Sequence, residues 1–311
     1  MPEIKKKYGR RNRLWLIIPA VALFAMLFVI LLHGKNIAML NPKGLISHDQ
    51  TRLMFLTVAI LFCVAIPSVA LLFFTAWKYR ETNNKAEYAP ESRHSKLFIA
   101  GIWLIPSSVM LVMAFILWNA THRLVPQDPI ASSAKPLVIQ VVSMRWKWLF
   151  IYPEQNIATV NYVQLPLHRP VEFDLTADES PMSSFWIPNL GGQLYAMTGM
   201  ENKLHLMADT PGDFPGSTAE LNGDGYTAMN FTAHAASSED FDNWVHGIKQ
   251  GNTVLDDSSY KILLKPSENN PHAYYASAET GLYDKVLMKY MEPAKNNKQM
   301  DDMQMMGMAD Q

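Results

Sequence analysis

Long apolar runs dominate the first 118 residues of the chain. Residues 14–32, 53–77 and 97–118 contain no charged side chain. A helix of about 20 apolar residues crosses a hydrocarbon core of ~30 Å. Pro67 and Pro106 lie inside the second and third runs, and membrane helices tolerate proline because neighbouring groups satisfy the freed carbonyl. The pattern predicts a membrane hairpin with spans at about 53–77 and 97–118.

A different pattern begins near residue 136, where short alternating segments are separated by Gly, Pro, Asn and Asp. Segments of this kind are typical of strands, and many of them in succession indicate a β-sandwich or small barrel. Ser237 and the acidic residues after it can begin a helix whose apolar positions recur over 241–248. Strands are predicted at 136–144, 158–165, 171–176, 203–208 and 226–235.

Residues 251–311 are polar and contain scattered tyrosines, and the last twelve positions include five methionines, at 300, 303, 305, 306 and 308. No helical or strand periodicity stands out, so this tail is predicted to be loop-like. Thioether sulfurs can bind Cu(I). We expect instead that the terminal methionines belong to an irregular tail.

The distribution of charge predicts the orientation in the membrane. Residues 1–118 carry 14 Lys and Arg against 5 Asp and Glu, whereas residues 119–311 carry 13 against 23. The basic residues gather before residue 14 and between residues 78 and 96. Short loops rich in Lys and Arg remain in the cytoplasm, so the acidic domain after Trp118 is predicted to lie on the outer face. An acidic domain also argues against nucleic-acid binding.

The run at 14–32 has two interpretations, because a basic N-terminus followed by an apolar segment also describes a secretory leader. The run is longer than the usual apolar core of a leader. His33, Gly34 and Lys35 offer neither a small-residue cleavage site nor a cysteine that could accept lipid. We expect residues 1–33 to be a retained membrane segment with its N-terminus in the cytoplasm.

The single cysteine, Cys63, limits the chemistry of the chain. It excludes a disulfide framework, a zinc site built on several cysteines, and a copper centre that needs two thiolates. Cys63 also lies inside a predicted membrane span.

Five motifs in order along the chain resemble subunit II of the haem-copper terminal oxidases, with the nearest resemblance to the bo-type ubiquinol oxidases. They are AWKYR (76–80), VVSMRWKW (141–148), IYPEQ (151–155), SFWIPNLG (184–191) and YAMTGM (195–200). The resemblance covers about residues 41–250, and the tail resembles the C-terminal extension of that subfamily. It implies a membrane hairpin over 41–123, an external cupredoxin-like domain over 124–250, and an aromatic-containing, Met-rich extension over 251–311.

The resemblance also supplies an internal test for metal binding. Cytochrome c oxidases in this family hold a binuclear copper centre on two cysteines, two histidines, a methionine and a glutamate. The matching positions of this sequence are Ser183, Thr218, Glu220, Asn222, Tyr226 and Met229. Glu220 and Met229 alone keep the family's residue type. Since Ser, Thr, Asn and Tyr cannot replace two thiolates and two imidazoles, no copper, other metal or redox cofactor is expected in this chain.

Without that centre, the resemblance implies a lipid-soluble quinol as electron donor. Haems, copper and the quinol site would belong to subunit I, and this chain would be a structural and assembly subunit of a proton-translocating quinol:oxygen oxidoreductase. The expected location is the bacterial inner membrane, with the β domain in the periplasm and further oxidase subunits and lipid as partners. One alternative is a membrane-anchored cupredoxin-like interaction protein outside any oxidase. A cytochrome c oxidase is a further alternative, against which the missing thiolates argue.

Five other positions have expectations of their own. Trp146 and Trp148 lie two apart, and on one strand they would share a face that is core or a contact surface rather than an electron-entry patch. His205 and His234 are expected to be hydrogen-bonded structural residues. Ile99 occupies a position where family members commonly carry a carboxylate at the mouth of a proton-uptake route. Either a loop carboxylate, Glu87 or Glu91, substitutes for it or proton entry differs.

Overall fold

A computed structural model describes residues 37–80, 83 and 95–291. The described residues 37–41, with a 3₁₀ turn at Ala38–Leu40, belong to one unit. The remaining described residues belong to a second unit. The apolar run at 14–32, the loop carboxylates Glu87 and Glu91, and the terminal methionines lie outside the described residues.

Two long helices, α1 (Leu45–Lys78) and α2 (Lys96–Arg123), confirm the predicted hairpin. Both are long and apolar enough to cross a membrane, and their apolar stretches are not buried within the chain. Large side chains such as Leu72 and Trp103 are 65% and 72% exposed. Apolar surface of this extent requires lipid or another protein against it.

Helix α1 begins eight residues before the apolar run that predicted it, because its first turn packs against the β domain. Ser47 Oγ accepts a hydrogen bond from Gly44 N–H at 3.1 Å and donates one to the carbonyl of Asn189 at 2.7 Å. A β-carbon on Gly44 would lie 2.6 Å from the carbonyl oxygen of Met207. The first turn of α1 therefore packs directly on the sandwich.

The outer domain is a two-layer β-sandwich, which confirms the predicted fold class of membrane helices followed by an external cupredoxin-like domain. One sheet has six strands in the order β12-β3-β2-β1-β5-β8, and the facing sheet has five in the order β4-β10-β9-β6-β7. Strand β1 runs parallel to β5 and antiparallel to β2. The strands are β1 (Leu137–Met144), β2 (Lys147–Tyr152), β3 (Ile157–Val160), β4 (Tyr162–Pro166), β5 (Val171–Ala177), β6 (Ser183–Trp186), β7 (Gln193–Ala196), β8 (Asn202–Leu206), β9 (Gly212–Thr218), β10 (Asn230–Ala236) and β12 (Ala273–Tyr275).

An aromatic cluster fills the space between the two sheets. The rings of Phe185 and Phe231 stack with centroids 5.0 Å apart, and Trp148 meets Phe185 edge-on at 5.3 Å. All three side chains are nearly inaccessible to solvent. The predicted closing helix is confirmed as α3 (Ser238–Lys249), whose first turn is capped by Ser237 Oγ accepting from Asp240 N–H.

The prediction that residues after 250 are loop-like is wrong for the described part of the tail. It forms α4 (Asp257–Leu263), α5 (Leu282–Met291) and a small two-stranded sheet of β11 (Val254–Leu255) and β13 (Ser277–Ala278), while β12 joins the six-stranded sheet. A second core forms between this segment and the outer face of the six-stranded sheet. We call residues 251–291 the C-terminal extension.

Two strand predictions also need correction. The segment 158–165 is not one strand, because the chain passes Asn161 in a left-handed conformation and enters the opposite sheet. The segment predicted to start at Tyr226 begins with a 3₁₀ turn, Tyr226–Ala228, and strand β10 starts at Asn230.

Candidate functional site

Four of the six positions matched to copper ligands meet at one end of the sandwich. Ser183 begins β6, Thr218 ends β9, and Asn222 and Met229 lie in the loop between β9 and β10. The Asn222 amide nitrogen donates to Ser183 Oγ at 2.9 Å and to the Met229 sulfur at 3.0 Å. Thr218 Oγ1 accepts from the backbone N–H of Ser184 at 3.2 Å. We call Ser183, Thr218, Asn222 and Met229 the ligand-position cluster.

The ligand-position cluster is buried and does not offer a copper donor set. Its members are between 0 and 8% exposed. The Asn222 amide nitrogen has no free lone pair for a metal, and its N–H groups point at Ser183 Oγ and at the Met229 sulfur. Hydroxyl and amide oxygens with one thioether do not supply the soft thiolates of a binuclear copper centre. The residues present therefore do not fit that metal centre.

The other two matched positions lie beside the cluster and contribute backbone only. Thr218 Oγ1 lies 3.3 Å from the Glu220 carbonyl oxygen, and Tyr226 N–H donates to the carbonyl of Gly223 at 3.2 Å. Neither the Glu220 carboxylate nor the Tyr226 hydroxyl hydrogen-bonds to another described residue. Among residues 37–80, 83 and 95–291, no group of three or more His, Cys, Asp or Glu is close enough together to hold a metal.

Trp146 and Trp148 do not share a strand face, which corrects the sequence-based expectation. Trp146 occupies the turn between β1 and β2 with φ +66°, whereas Trp148 lies on β2 and is fully buried. Both nonetheless pack against the sandwich core, as expected. The Trp146 ring lies against the loop of the ligand-position cluster, where a β-carbon on Gly225 would come within 2.4 Å of it.

The C-terminal extension reaches the same place from the other side. A β-carbon on Gly225 would also lie 2.7 Å from Cγ of Glu268 in the extension. Trp146 is thus half-buried between the loop and the extension, and its indole nitrogen has no hydrogen-bond partner among the described residues. The turn holding Trp146 is therefore packed against its neighbours rather than projecting from the domain.

A buried carboxylate fixes the extension to the sandwich. Asp178 is 1% exposed and accepts hydrogen bonds from the hydroxyls of Tyr260 and Tyr290, each at 2.7 Å, and from the Lys289 ammonium at 2.8 Å. Burial, together with the neighbouring Asp178 carboxylate, raises the pKa of Tyr260. We call Asp178, Tyr260, Lys289 and Tyr290 the Asp178 network.

Lys147 makes a second polar attachment. Its ammonium is buried and donates to the carbonyls of Leu263 and Lys265, each at 2.9 Å, and to the Ser267 hydroxyl. These carbonyls lie at the end of α4, where backbone acceptors lack partners within the helix. Burial lowers the pKa of Lys147. No pattern in the sequence indicates this role, because a lysine in a strand usually faces water.

Each of the two histidines lies beside a carboxylate of a neighbouring strand. His234 Nδ1 lies 2.5 Å from an Asp213 carboxylate oxygen on the neighbouring strand, and His205 Nε2 lies 3.4 Å from Glu172. Ile99 lies in the first turn of α2 with its side chain 46% exposed. Glu87 and Glu91, which could replace a carboxylate at that position, remain untested because they lie outside the described residues.

Similarity to curated proteins extends over almost the whole chain. It is 43% identical over 286 residues to cytochrome bo(3) ubiquinol oxidase subunit 2 of Pseudomonas putida, covering 92% of this chain and 88% of the relative. The chain belongs to the ubiquinol oxidase subunit 2 family. Another member, ubiquinol oxidase subunit 2 of Acetobacter aceti, is 39% identical over 90% of this chain and 92% of its own length.

Two further comparisons concern parts of the chain. The family model described as the COX Aromatic Rich Motif matches residues 249–294, which include the whole C-terminal extension. The periplasmic domain of subunit II of cytochrome oxidase of Bradyrhizobium japonicum is 20% identical, with a TM-score of 0.36 over 39% of this chain and 98% of that chain. As a ubiquinol oxidase subunit 2 family member, the protein is a membrane-anchored component of an oxidase complex with a domain outside the bilayer.

Proposed function

We propose that this chain is the copper-free subunit II of a proton-translocating ubiquinol:oxygen oxidoreductase and takes no part in electron transfer itself. Electrons pass from quinol to the haems of subunit I, which also carries the copper of the oxygen site. The observation that carries the proposal is the ligand-position cluster, where an asparagine amide hydrogen-bonds to serine and methionine in place of a metal. The names of the relatives support the substrate and the complex.

The two ends of the molecule have different roles in this proposal. The apolar faces of α1 and α2, exposed in the isolated chain, contact subunit I and lipid. The basic loop between the helices lies in the cytoplasm, so the sandwich lies in the periplasm of a bacterial inner membrane. The packed tryptophans and the C-terminal extension serve stability and assembly rather than entry of electrons from a soluble protein.

The direct test compares two electron donors for the intact complex, purified through a tag on this chain. We expect rapid oxygen consumption with ubiquinol, little with reduced cytochrome c, and haem in the purified material. Cytochrome c turnover comparable with quinol turnover would contradict the proposal. Purification without haem would favour the alternative of a membrane protein acting outside an oxidase.

A metal-binding test addresses the ligand-position cluster separately, with the full-length chain. We expect no intense visible absorption when copper is added to the unmodified protein. A variant carrying Ser183→His, Thr218→Cys, Asn222→Cys and Tyr226→His should acquire such a band, because it regains two thiolates and two imidazoles. The control is Thr218→Cys alone, which supplies one thiolate and should remain colourless. An intense band in the unmodified chain would contradict the absence of copper.

A further inference from the structure

A cavity of about 320 Å³ lies between α1 and α2 near the β domain. Its walls are mainly apolar and include Leu53, Leu56, Phe115 and Ile116. Volumes of ~300–1,000 Å³ are typical of sites that hold small ligands. Leu56 and Phe115 are also exposed, at 45% and 71%, so lipid around the two helices can reach the cavity.

A second cavity of about 420 Å³ adjoins the first on the side of the β domain. The two share Asp49, Arg123 and Leu124 as lining residues. The second cavity is more polar and lies between the start of α1, the linker after α2, and strand β8. The two cavities are therefore adjacent, and the one nearer the membrane has the more apolar lining.

The shared boundary lies where the membrane surface must be. The apolar run of α1 starts at Leu53 and that of α2 ends at Trp118. Asp49 and Arg52 precede the first run, and Arg123 follows the second. These charged groups therefore lie at the level of lipid head groups on the outer side.

The charges at this boundary favour an anion. Arg123 lies 3.5 Å from Asp49, and both side chains remain substantially exposed. Arg52 lines the same cavity and forms no ion pair with any described residue. Two guanidinium groups against one carboxylate leave a net positive rim. Asp128 lies on the lining of the second cavity, so an anion is favoured at the arginines and not beyond them.

A buried imidazole in the polar cavity is a second, independent observation. His205 is 5% exposed and lines the second cavity, and its Nδ1 has no hydrogen-bond partner among the described residues. Burying a polar atom without a hydrogen-bond partner is unfavourable. A ligand head group that hydrogen-bonds to Nδ1 would remove that penalty.

We propose that these adjacent cavities hold one phospholipid of the outer leaflet. Its phosphate binds Arg52 and Arg123, an acyl chain lies against Leu53, Leu56 and Phe115, and its polar head group extends toward His205. Arginine suits this role because its fork of N–H donors matches the oxygens of phosphate. The lipid binds where the hairpin meets the β domain, so it fills the space that the two helices leave between them.

The test measures lipid retained by the full-length chain, together with the subunits that accompany it, after extraction in mild detergent. Native mass spectrometry gives the mass of each bound molecule, and the same sample is extracted to identify phospholipid and quinone. We expect one tightly held phospholipid in the wild type. Arg52→Gln and Arg123→Gln should each weaken retention by about tenfold, as expected for the loss of one charge-assisted hydrogen bond.

Two further variants separate a built site from ordinary contact with the bilayer. Ala120 lines the apolar cavity, so Ala120→Phe should displace the lipid while both arginines remain. Arg145→Gln is the matched control, because the Arg145 side chain is exposed and lines neither cavity. Thermal unfolding of the β domain is followed in all four variants to show that each is folded.

Three results would overturn the proposal. They are unchanged phospholipid retention in both arginine variants, retention that survives Ala120→Phe, and a quinone mass in place of a phospholipid. Because retention is measured on the chain with or without other subunits, these results are independent of the turnover assays that test the proposed function.

Discussion

Two buried polar clusters on the same sandwich differ in how completely their atoms are paired. In the Asp178 network one carboxylate receives three donors, two tyrosine hydroxyls and an ammonium. In the ligand-position cluster, Asn222 Oδ1 is buried without a partner among the described residues, and so is the hydroxyl of the adjacent Ser184. A carboxylate saturated with donors is held strongly, whereas a partly satisfied cluster contributes little. The contrast indicates that stability depends on the extension, while the hydrogen bonds of the ligand-position cluster contribute less to it.

Removal of the extension is the strongest test of this comparison. Ending the chain after Gln250 would expose the outer face of the six-stranded sheet, including Val142, Leu149 and Ile151. The hydrophobic stabilisation lost with this burial is on the order of 10 kcal/mol, which is similar to the entire free energy of unfolding of a typical domain. We expect the truncated chain to aggregate or to be degraded, as measured by its yield in the membrane fraction. A control that ends after Met291 should accumulate normally, and normal accumulation of the shorter chain would contradict the comparison.

The Asp178 network should show the largest effect of a single side chain. Asp178→Ala leaves two tyrosine hydroxyls without their acceptor and removes one of the two carboxylates that pair with Lys289. We expect this change to lower the free energy of unfolding by about 3 kcal/mol. Thermal or denaturant unfolding of the full chain measures the change. Glu179→Ala is the matched control, because Glu179 is an exposed neighbour that also pairs with Lys289. A loss of equal size in both variants would show that burial of Asp178 is not the cause.

The ligand-position cluster should tolerate substitution better. Asn222→Ala removes two hydrogen bonds but also removes the unpartnered Oδ1, so the expected loss is about 1 kcal/mol. The same unfolding measurement applies, with Asn230→Ala on the exposed surface as the control. A loss larger than that of Asp178→Ala would reverse the order of the two clusters.

The smallest expected effect is a change in how the stability of the fold depends on acidic pH. Asp256 caps α4 by accepting from the backbone N–H of Ser259 and from the hydroxyl of Ser258, and these bonds lower its pKa to about 2. A carboxyl whose pKa is lowered by folding stabilises the folded state above its ordinary pKa, and this stabilisation is lost as pH falls toward 2. Asp256→Asn keeps the cap without the charge, so its unfolding temperature should fall less between pH 4.5 and 3 than that of the wild type.

The control for the acid experiment is Asp242→Asn on the exposed face of α3. It removes a carboxylate that caps no helix, so its pH dependence should match that of the wild type. An Asp256→Asn variant that is as acid-sensitive as the wild type would show that the cap does not depend on the charge.

The sequence predicted those features that depend on local periodicity or on charge. Residues 53–77 and 97–118 identified the hairpin, and the spacing of Phe241, Trp244, Val245 and Ile248 identified α3. The start of α1 was missed because His48, Asp49 and Arg52 are polar and precede the apolar run, although they already belong to the helix. That first turn packs on the β domain, a tertiary contact that periodicity does not reveal.

The strands that were missed have physical explanations as well. Strand β2 is buried at every position, since the core covers one face and the extension covers the other. Strand β9 contains Gly212, Pro215 and Gly216, which are typical of turns. Gly216 is required there because a β-carbon would lie 2.1 Å from the Phe231 ring. The ligand-position cluster was located by family resemblance, while its hydrogen bonds could be found only from the structure.

The direct join between α1 and the sandwich has a mechanical consequence. The 34 residues of α1 make a rod about 51 Å long at 1.5 Å per residue. Its first turn is clamped by Ser47, and a β-carbon on Gly191 would lie only 2.8 Å from the backbone nitrogen of that serine. Because of these contacts, a change in the tilt of α1 relative to the bilayer rotates the sandwich together with the helix. The angle at which the outer domain meets its neighbours is consequently set by how the helix packs inside the membrane.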